Sequence, residues 1–265
     1  MTLIAWTDVT ANFWMGCRKV SPGCSNCYAE ELTRNRMGLK LWGAGSNRQA
    51  VKAAENKLRQ QARLAESCAP GVMGPGNPHL VFVGSLMDWA EDHPDAEALR
   101  PKIWEAVRKY PGLHFQLLTK RPENIEYVLP DDWGDGYQNV WLGTSIENND
   151  YAHRADDLRR IPAIVRFVSY EPAIGPLDAL DLAGISWVIY GGESGNNRRP
   201  EDKQWARDMR DRCARSNVAF FHKQSAHRFT ERGIELDGQI IRQFPLLGQR
   251  KTRPTRHADR PQSFF

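Results

Sequence analysis

From residue 79 onward, short continuous apolar runs alternate with polar, helix-spaced stretches. The runs are His79–Ser85, Leu113–Thr119, Asn139–Ser145, Ile164–Ser169, Ser186–Gly191 and Asn217–His222. Unbroken apolar runs of this length predict strands covered on both faces. The stretches between them, such as Ala96–Tyr110 and Asp202–Ser216, carry helical spacing and charge. Strand–helix alternation predicts an α/β fold with a parallel sheet and right-handed crossovers. A first strand is expected near Leu3–Thr7, where the apolar signal is weak. Six or seven such units predict a full or partial (β/α) barrel, with an open doubly wound sheet as the alternative.

Residues 28–78 break this rhythm. Ala29–Arg36 reads as a helix following a cysteine-bearing loop, Asn47–Glu66 as a polar helix, and Gly71–Pro78 as a loop. Residues 38–78 are therefore expected to be a helical insertion after the first βα unit. Residues 1–247 form one expected domain, and residues 248–265 a basic, flexible tail.

Composition adds limits. A chain of 265 residues holds one α/β barrel comfortably. No apolar run approaches the roughly 20 residues that span a bilayer. The first residues lack the basic-then-apolar pattern of a signal peptide, so a cytoplasmic location is expected. The net charge is +4, and the tail carries Arg250, Lys251, Arg253, Arg256 and Arg260 against Asp259 alone, so the rest is near neutral. Such a tail either attracts nucleic acid through its phosphates or is simply a solvated end.

The polar residues that follow each apolar run form a second pattern. They are Ser85 and Asp88; Thr119, Lys120 and Arg121; Ser145 and Glu147; Ser169 and Glu171; Gly191 to Gly195, including Glu193; and His222, Lys223 and Gln224. Turn and cap chemistry explains any one of these ends. Six in succession predict a ligand-lined mouth at the carboxyl ends of the strands. The glycines of the Gly191–Gly195 segment match neither a P-loop nor a dinucleotide fingerprint.

Five cysteines are present, three of them at Cys17, Cys24 and Cys27, spaced C-x6-C-x2-C. An odd, clustered set points to metal more than to a disulfide framework. Structural zinc needs four ligands, yet Cys68 and Cys213 stand alone and no histidine lies near the triplet. A redox pair at Cys24 and Cys27 leaves Cys17 unexplained. A [4Fe–4S] cluster on three thiolates leaves one iron open to an outside ligand. Pro22 and Gly23 supply a tight turn, and Arg18 and Lys19 add positive charge that favours thiolates.

This loop resembles that of radical S-adenosylmethionine enzymes, which usually space the cysteines C-x3-C-x2-C; here three extra residues precede Cys24. More closely, the chain resembles a phage and prophage family of three-cysteine-motif proteins. The matching segments are GCRKVSPGCSNCYAE, VFVGSLMDWAED, FQLLTKRPENI, NVWLGTSIEN, RFVSYEPAIGPL, WVIYGGESGNNRRP and FFHKQ, spanning residues 16–224.

The resemblance implies a barrel of the radical-enzyme type with a [4Fe–4S] cluster on Cys17, Cys24 and Cys27, and S-adenosylmethionine as source of a 5′-deoxyadenosyl radical. It implies cofactor contacts from Gly84, Ser85, Asp88, Thr119, Ser145 and Glu147, although Ser85 and Asp88 stand where Gly-Gly-Glu is usual. Glu193, Lys223 and Glu171 fall on the substrate side as expected catalytic groups, with Lys120, Arg121 and Arg198 as substrate contacts; alternatively these lysines and arginines, with Arg199, form a solvated rim or pair with Glu147, Glu171 and Glu193. It further implies a flavodoxin- or ferredoxin-like electron donor. The implied substrate is a hypermodified, thymidine-type base in DNA or its nucleotide. Trp89, Trp141, Tyr170 and Tyr190 would either stack on that base or belong to the core. The rivals are a zinc-stabilised α/β nucleic-acid-binding protein and a radical lyase that repairs a DNA lesion.

Overall fold

All six apolar runs become strands of one parallel sheet. The computed structural model describes residue 2, residues 4–67 and residues 79–247. In chain order the elements are β1 (Val9–Ala11), β2 (Trp14–Met15), α1 (Tyr28–Met37), β3 (Gln49–Ala50), α2 (Ala54–Glu66), β4 (Leu80–Val83), α3 (Pro94–Leu99), α4 (Pro101–Lys109), β5 (His114–Thr119), α5 (Ile125–Val128), β6 (Val140–Ser145), α6 (Arg154–Arg160), β7 (Val165–Tyr170), β8 (Trp187–Gly191), α7 (Lys203–Arg215), β9 (Ala219–Gln224), β10 (Glu235–Leu236) and β11 (Gln239–Ile240).

The main sheet runs β1-β4-β5-β6-β7-β8-β9, with every neighbouring pair parallel. Each crossover steps the same way. A doubly wound sheet would reverse direction, so that alternative is excluded. The sheet curls into a half-barrel, with β1 and β9 as its edges. Its curvature shows in Trp6, whose ring lies 4.5 Å from Phe82 on β4, 6.3 Å from Phe167 on β7 and 6.2 Å from Trp187 on β8.

Alternation along the strands divides the core into two layers. The concave face carries Leu80, Phe82, Trp141, Phe167, Trp187, Ile189 and Phe221, packed on Trp6. The convex face carries Val81, Val83, Phe115, Leu142, Tyr170, Val188, Tyr190 and Phe220, packed with the helices. Each large side chain buried this completely contributes about 1.5–3 kcal/mol. Trp89, Trp141, Tyr170 and Tyr190 are fully buried, so the stacking role considered for them gives way to core packing.

Three expectations need correction. The first strand is Val9–Ala11 rather than Leu3–Thr7, because its partners are Val81, Phe82 and Val83, while Trp6 turns into the barrel. The Ala96–Tyr110 helix is split at Pro101, which has no N–H to continue the ladder and starts α4 instead. The Asn47–Glu66 helix begins only at Ala54; Gln49–Ala50 pairs antiparallel with β2. The loop Gly71–Pro78, Cys68 and the tail 248–265 lie outside the described residues. No described helix is long and apolar enough to cross a membrane.

Candidate functional site

The cysteine loop lies across the carboxyl ends of the strands. At its start, Asn12 at the end of β1 donates through Nδ2 to Ser85 Oγ at 2.8 Å and accepts from Leu86 N at 2.8 Å. Gly16 N donates to Leu86 O at 3.0 Å, beyond β4. Beyond β5, Arg121 donates through Nη2 to Arg18 O at 2.5 Å, with Nη1 3.6 Å from Cys17 Sγ. Beyond β6, Glu147 Oε1 accepts from Ser21 Oγ at 2.5 Å. Beyond β8, Arg199 donates through Nη1 to Pro22 O at 3.0 Å, and Asn26 donates to Glu193 Oε2 at 3.0 Å. Cys27 then caps α1, where Tyr28 Oη donates to Ser85 O at 2.7 Å. Residues 12–28 are thus tied to the ends of β1, β4, β5, β6 and β8.

Local sequence makes this docking possible. Pro22 starts a 3-10 turn over Pro22–Cys24, its ring suiting the first helical position. Gly23 presses on Glu147: an added Cβ would lie 2.5 Å from Glu147 Cγ and 2.8 Å from Cδ. Glu147 is itself buried and held by Arg154 Nη1 at 2.8 Å.

A buried charge network supports the Cys17 end. Arg121 pairs with Asp88 at 2.7 Å and Glu91 at 3.5 Å, and Arg48 pairs with Glu91 at 2.7 Å. Glu91 also accepts from Arg18 N at 2.8 Å. Removing one member of such a buried set leaves an uncompensated charge, costing about 3–5 kcal/mol. Asp88 further accepts from Thr119 Oγ1 at 2.5 Å and Lys120 N at 3.1 Å. Asp88, Thr119 and Arg121, expected as cofactor and substrate contacts, are therefore committed to holding the loop. Burial pushes the Cys17 thiol up to about 12; Asp88 adds to this and Arg121 opposes it.

Glu193 sits in a latch. It accepts from Arg199 N at 2.7 Å and Arg199 Nε at 3.0 Å, besides Asn26. Burial pushes its carboxyl up, but these hydrogen bonds outweigh burial and hold it below the usual range. Glu193 is thus placed to position the cysteine loop.

The concave floor below is built by Ser145, Ser169, Glu171 and Lys223. Ser145 pairs in register with Ser169, and Ser169 with Ile189 of the concave layer. Glu171 and Lys223 follow two residues after Ser169 and Phe221, on the same face. They form a short, half-buried ion pair, with Gly191 so close that a Cβ would lie 2.8 Å from Glu171 Cδ. Lys120 Nζ stands 3.9 Å from Glu147 at the rim of this floor. Gly84 has φ 114° and turns the chain toward Ser85. Arg198 is exposed and reaches only Gly195 O, at 3.3 Å, so it is not gathered with the floor.

Arg48, Glu91, Arg154, Asn12 and Asn26 were not expected here. Their sequence signal is weak, because Asn12, Asn26, Arg48 and Glu91 act through partners distant in the chain, and Arg154 acts through Glu147 across the turn after β6. Arg48 and Glu91 are separated by 43 positions.

Cys17, Cys24 and Cys27 are free and partly exposed on the one loop. Among the described residues no three His, Cys, Asp or Glu side chains stand in ligating position, so the thiols share a loop without being gathered on a common point. As a donor set, three soft unpaired thiols suit an iron–sulfur cluster. Cys213 is buried in the convex core, its thiol pushed up to about 12 by burial, and is no part of this set.

Comparison with curated proteins and with solved structures finds no match. Residues 1–245, which include the whole loop and all seven sheet strands, match one family model. The chain therefore belongs to the family described as "Protein of unknown function (DUF5131)".

Proposed function

We propose that this chain is an iron–sulfur enzyme of the radical S-adenosylmethionine type that modifies a nucleobase. Cys17, Cys24 and Cys27 would hold the cluster. The observation that carries the reading is the cysteine loop's place, roofing the carboxyl-end mouth of a parallel half-barrel, where folds of this kind hold their chemistry. When bound, a cluster with one open iron supplies an electron to S-adenosylmethionine and so a radical able to abstract hydrogen.

The chain's own residues divide into two groups under this reading. Asp88, Glu91, Arg48, Arg121, Glu147, Arg154, Glu193 and Arg199 position the loop. Ser145, Ser169, Lys120, Glu171 and Lys223 face the mouth and are the groups left to meet a ligand, while Ser85 anchors the loop through Asn12 and Tyr28. Lys223 can donate to a carbonyl or phosphate once its pair with Glu171 opens, and Glu171 can then accept from a ring N–H. The buried aromatic layer beneath excludes water from the floor. A flavodoxin- or ferredoxin-like protein would deliver the electron.

The test is chemical. Anaerobically purified protein given reductant and S-adenosylmethionine should release 5′-deoxyadenosine, and Cys24→Ala should not. A colourless protein holding one zinc, with no 5′-deoxyadenosine, favours the zinc-stabilised nucleic-acid-binding alternative.

A further inference from the structure

The loop after β9 presents an aromatic side chain and exposed cations beside the mouth. It is a built loop. Gln224 is buried and accepts from Thr230 Oγ1 at 3.1 Å and Glu231 N at 2.7 Å, while Ser225 N donates to Gly233 O at 2.8 Å. Ser194 and His227 pair as a bridge, with Gly195 N donating to His227 O at 3.2 Å. That seam joins this loop to the segment bearing Arg198 and Arg199. The same segment touches the cysteine loop through Asn26, which donates to Asn197 O at 2.8 Å. One continuous rim therefore runs from Cys27 to Phe229.

On that rim Phe229 is 60% exposed, while its N–H donates to His227 Nδ1 at 3.0 Å. The Arg228 guanidinium lies over its ring at 5.4 Å from the centroid, and the His227 ring lies tilted beside it at 5.9 Å. Arg198, Arg228 and Arg232 are exposed, and among the described residues none has a carboxylate partner. On α7, by contrast, Arg207 and Arg210 pair with Asp237. A solvent-facing aromatic ring with a guanidinium on it, on a rim that carries further exposed arginines, suits a base stacked on the ring and phosphates alongside.

We infer that Phe229, Arg228, Arg232 and Arg198 form a docking surface for a single-stranded or locally unpaired polynucleotide. The inference rests on the proposed nucleobase reading and narrows its substrate to a base within a strand, in place of a free nucleotide. The strand would cross the rim with one base on Phe229 and its neighbour extruded toward the concave floor.

The test is fluorescence anisotropy of the full chain with a labelled single-stranded oligonucleotide, titrated across salt. The expected result is binding that Phe229→Ala weakens about fivefold or more, the lower end for one lost base–aromatic stack. The double change Arg228→Gln with Arg232→Gln should lower the salt slope by about 1.4, at about 0.7 per phosphate contact on a single strand. Thymidine monophosphate should compete poorly, and a poly-glutamate peptide of equal charge should not compete at all. All changes are at exposed positions, so melting temperatures should match the wild type. Binding undiminished in both variants would assign it to the basic tail and overturn the inference, as would no binding at low salt or equal competition by either small probe. The measurement needs no cluster. A brown protein that ignores the strand would remove this surface alone, and a colourless one that binds through Phe229 would remove the radical reading alone.

Discussion

Gly23 offers a sharp perturbation of the site. Gly23→Ala places a methyl 2.5 Å from Glu147 Cγ, more than about 1 Å inside ordinary carbon contact. Glu147 has little room to withdraw, since Arg154 holds one oxygen at 2.8 Å and Ser21 the other at 2.5 Å. Moving it would break a buried ion pair, at about 3–5 kcal/mol. The less costly escape lifts the Pro22–Cys24 turn, giving up the hydrogen bond from Ser21 to the carboxylate, about 1.5–3 kcal/mol. For a chain this long, 1 kcal/mol shifts Tm by roughly 2–4 °C, so Tm should fall by about 3–12 °C. Because Cys24 rides on that turn, iron retained after anaerobic reconstitution should fall as well. Calorimetry and iron analysis read the two effects together. Gly45→Ala is the control, because nothing lies within 4 Å of its added Cβ. A Gly23→Ala protein with Tm within about 1 °C of wild type and undiminished iron would refute the docking argument.

Other outcomes follow from the same geometry. Arg199→Lys cannot reproduce the fork on Glu193 and Pro22, so it should shorten the chromophore's half-life against a chelator, and an unchanged half-life would count against the latch. In metal-free protein, thiol labelling mapped by mass spectrometry should mark Cys24 and Cys27 early and Cys213 only on unfolding, since burial pushes the Cys213 thiol up to about 12. Burial, with His79 nearby, pushes the His114 imidazole from 6.5 down to about 4. Below 6.5 the unfolded chain gains a proton that the folded chain refuses. Stability should therefore decline by at most about 1.4 kcal/mol per pH unit until the folded imidazole titrates. Urea midpoints across pH should show this slope, and His114→Gln should flatten it.

The sheet was largely legible in the sequence because strands buried on both faces need unbroken apolar runs. β1 escaped because it is an edge strand of three residues, set by pairing with Val81–Val83 and not by its own apolar content. Closure was not legible either, since the same runs serve a barrel or a doubly wound sheet and only the strand order separates them. Trp141 and Tyr190 fell near strand ends in the sequence, yet which face each occupies depends on register. In the site, the cysteine loop and the strand-end residues were legible by position. Their roles were less so. Asp88, Arg121 and Glu193 have the chemistry of ligand-binding groups, but Asp88 and Arg121 hold each other across 33 positions, Glu91 joins Arg121, and Glu193 is held by Arg199 and by the distant Asn26, which turns all three to positioning. Single-sequence periodicity carries no record of such pairs.

Iron and acid-labile sulfide per chain, measured after anaerobic reconstitution of the wild type and of Cys17→Ala, Cys24→Ala and Cys27→Ala, test the central claim most directly. The account predicts about four of each in the wild type and a marked loss in every variant. Equal, near-zero iron in all four proteins, or full loading in any single variant, would contradict it.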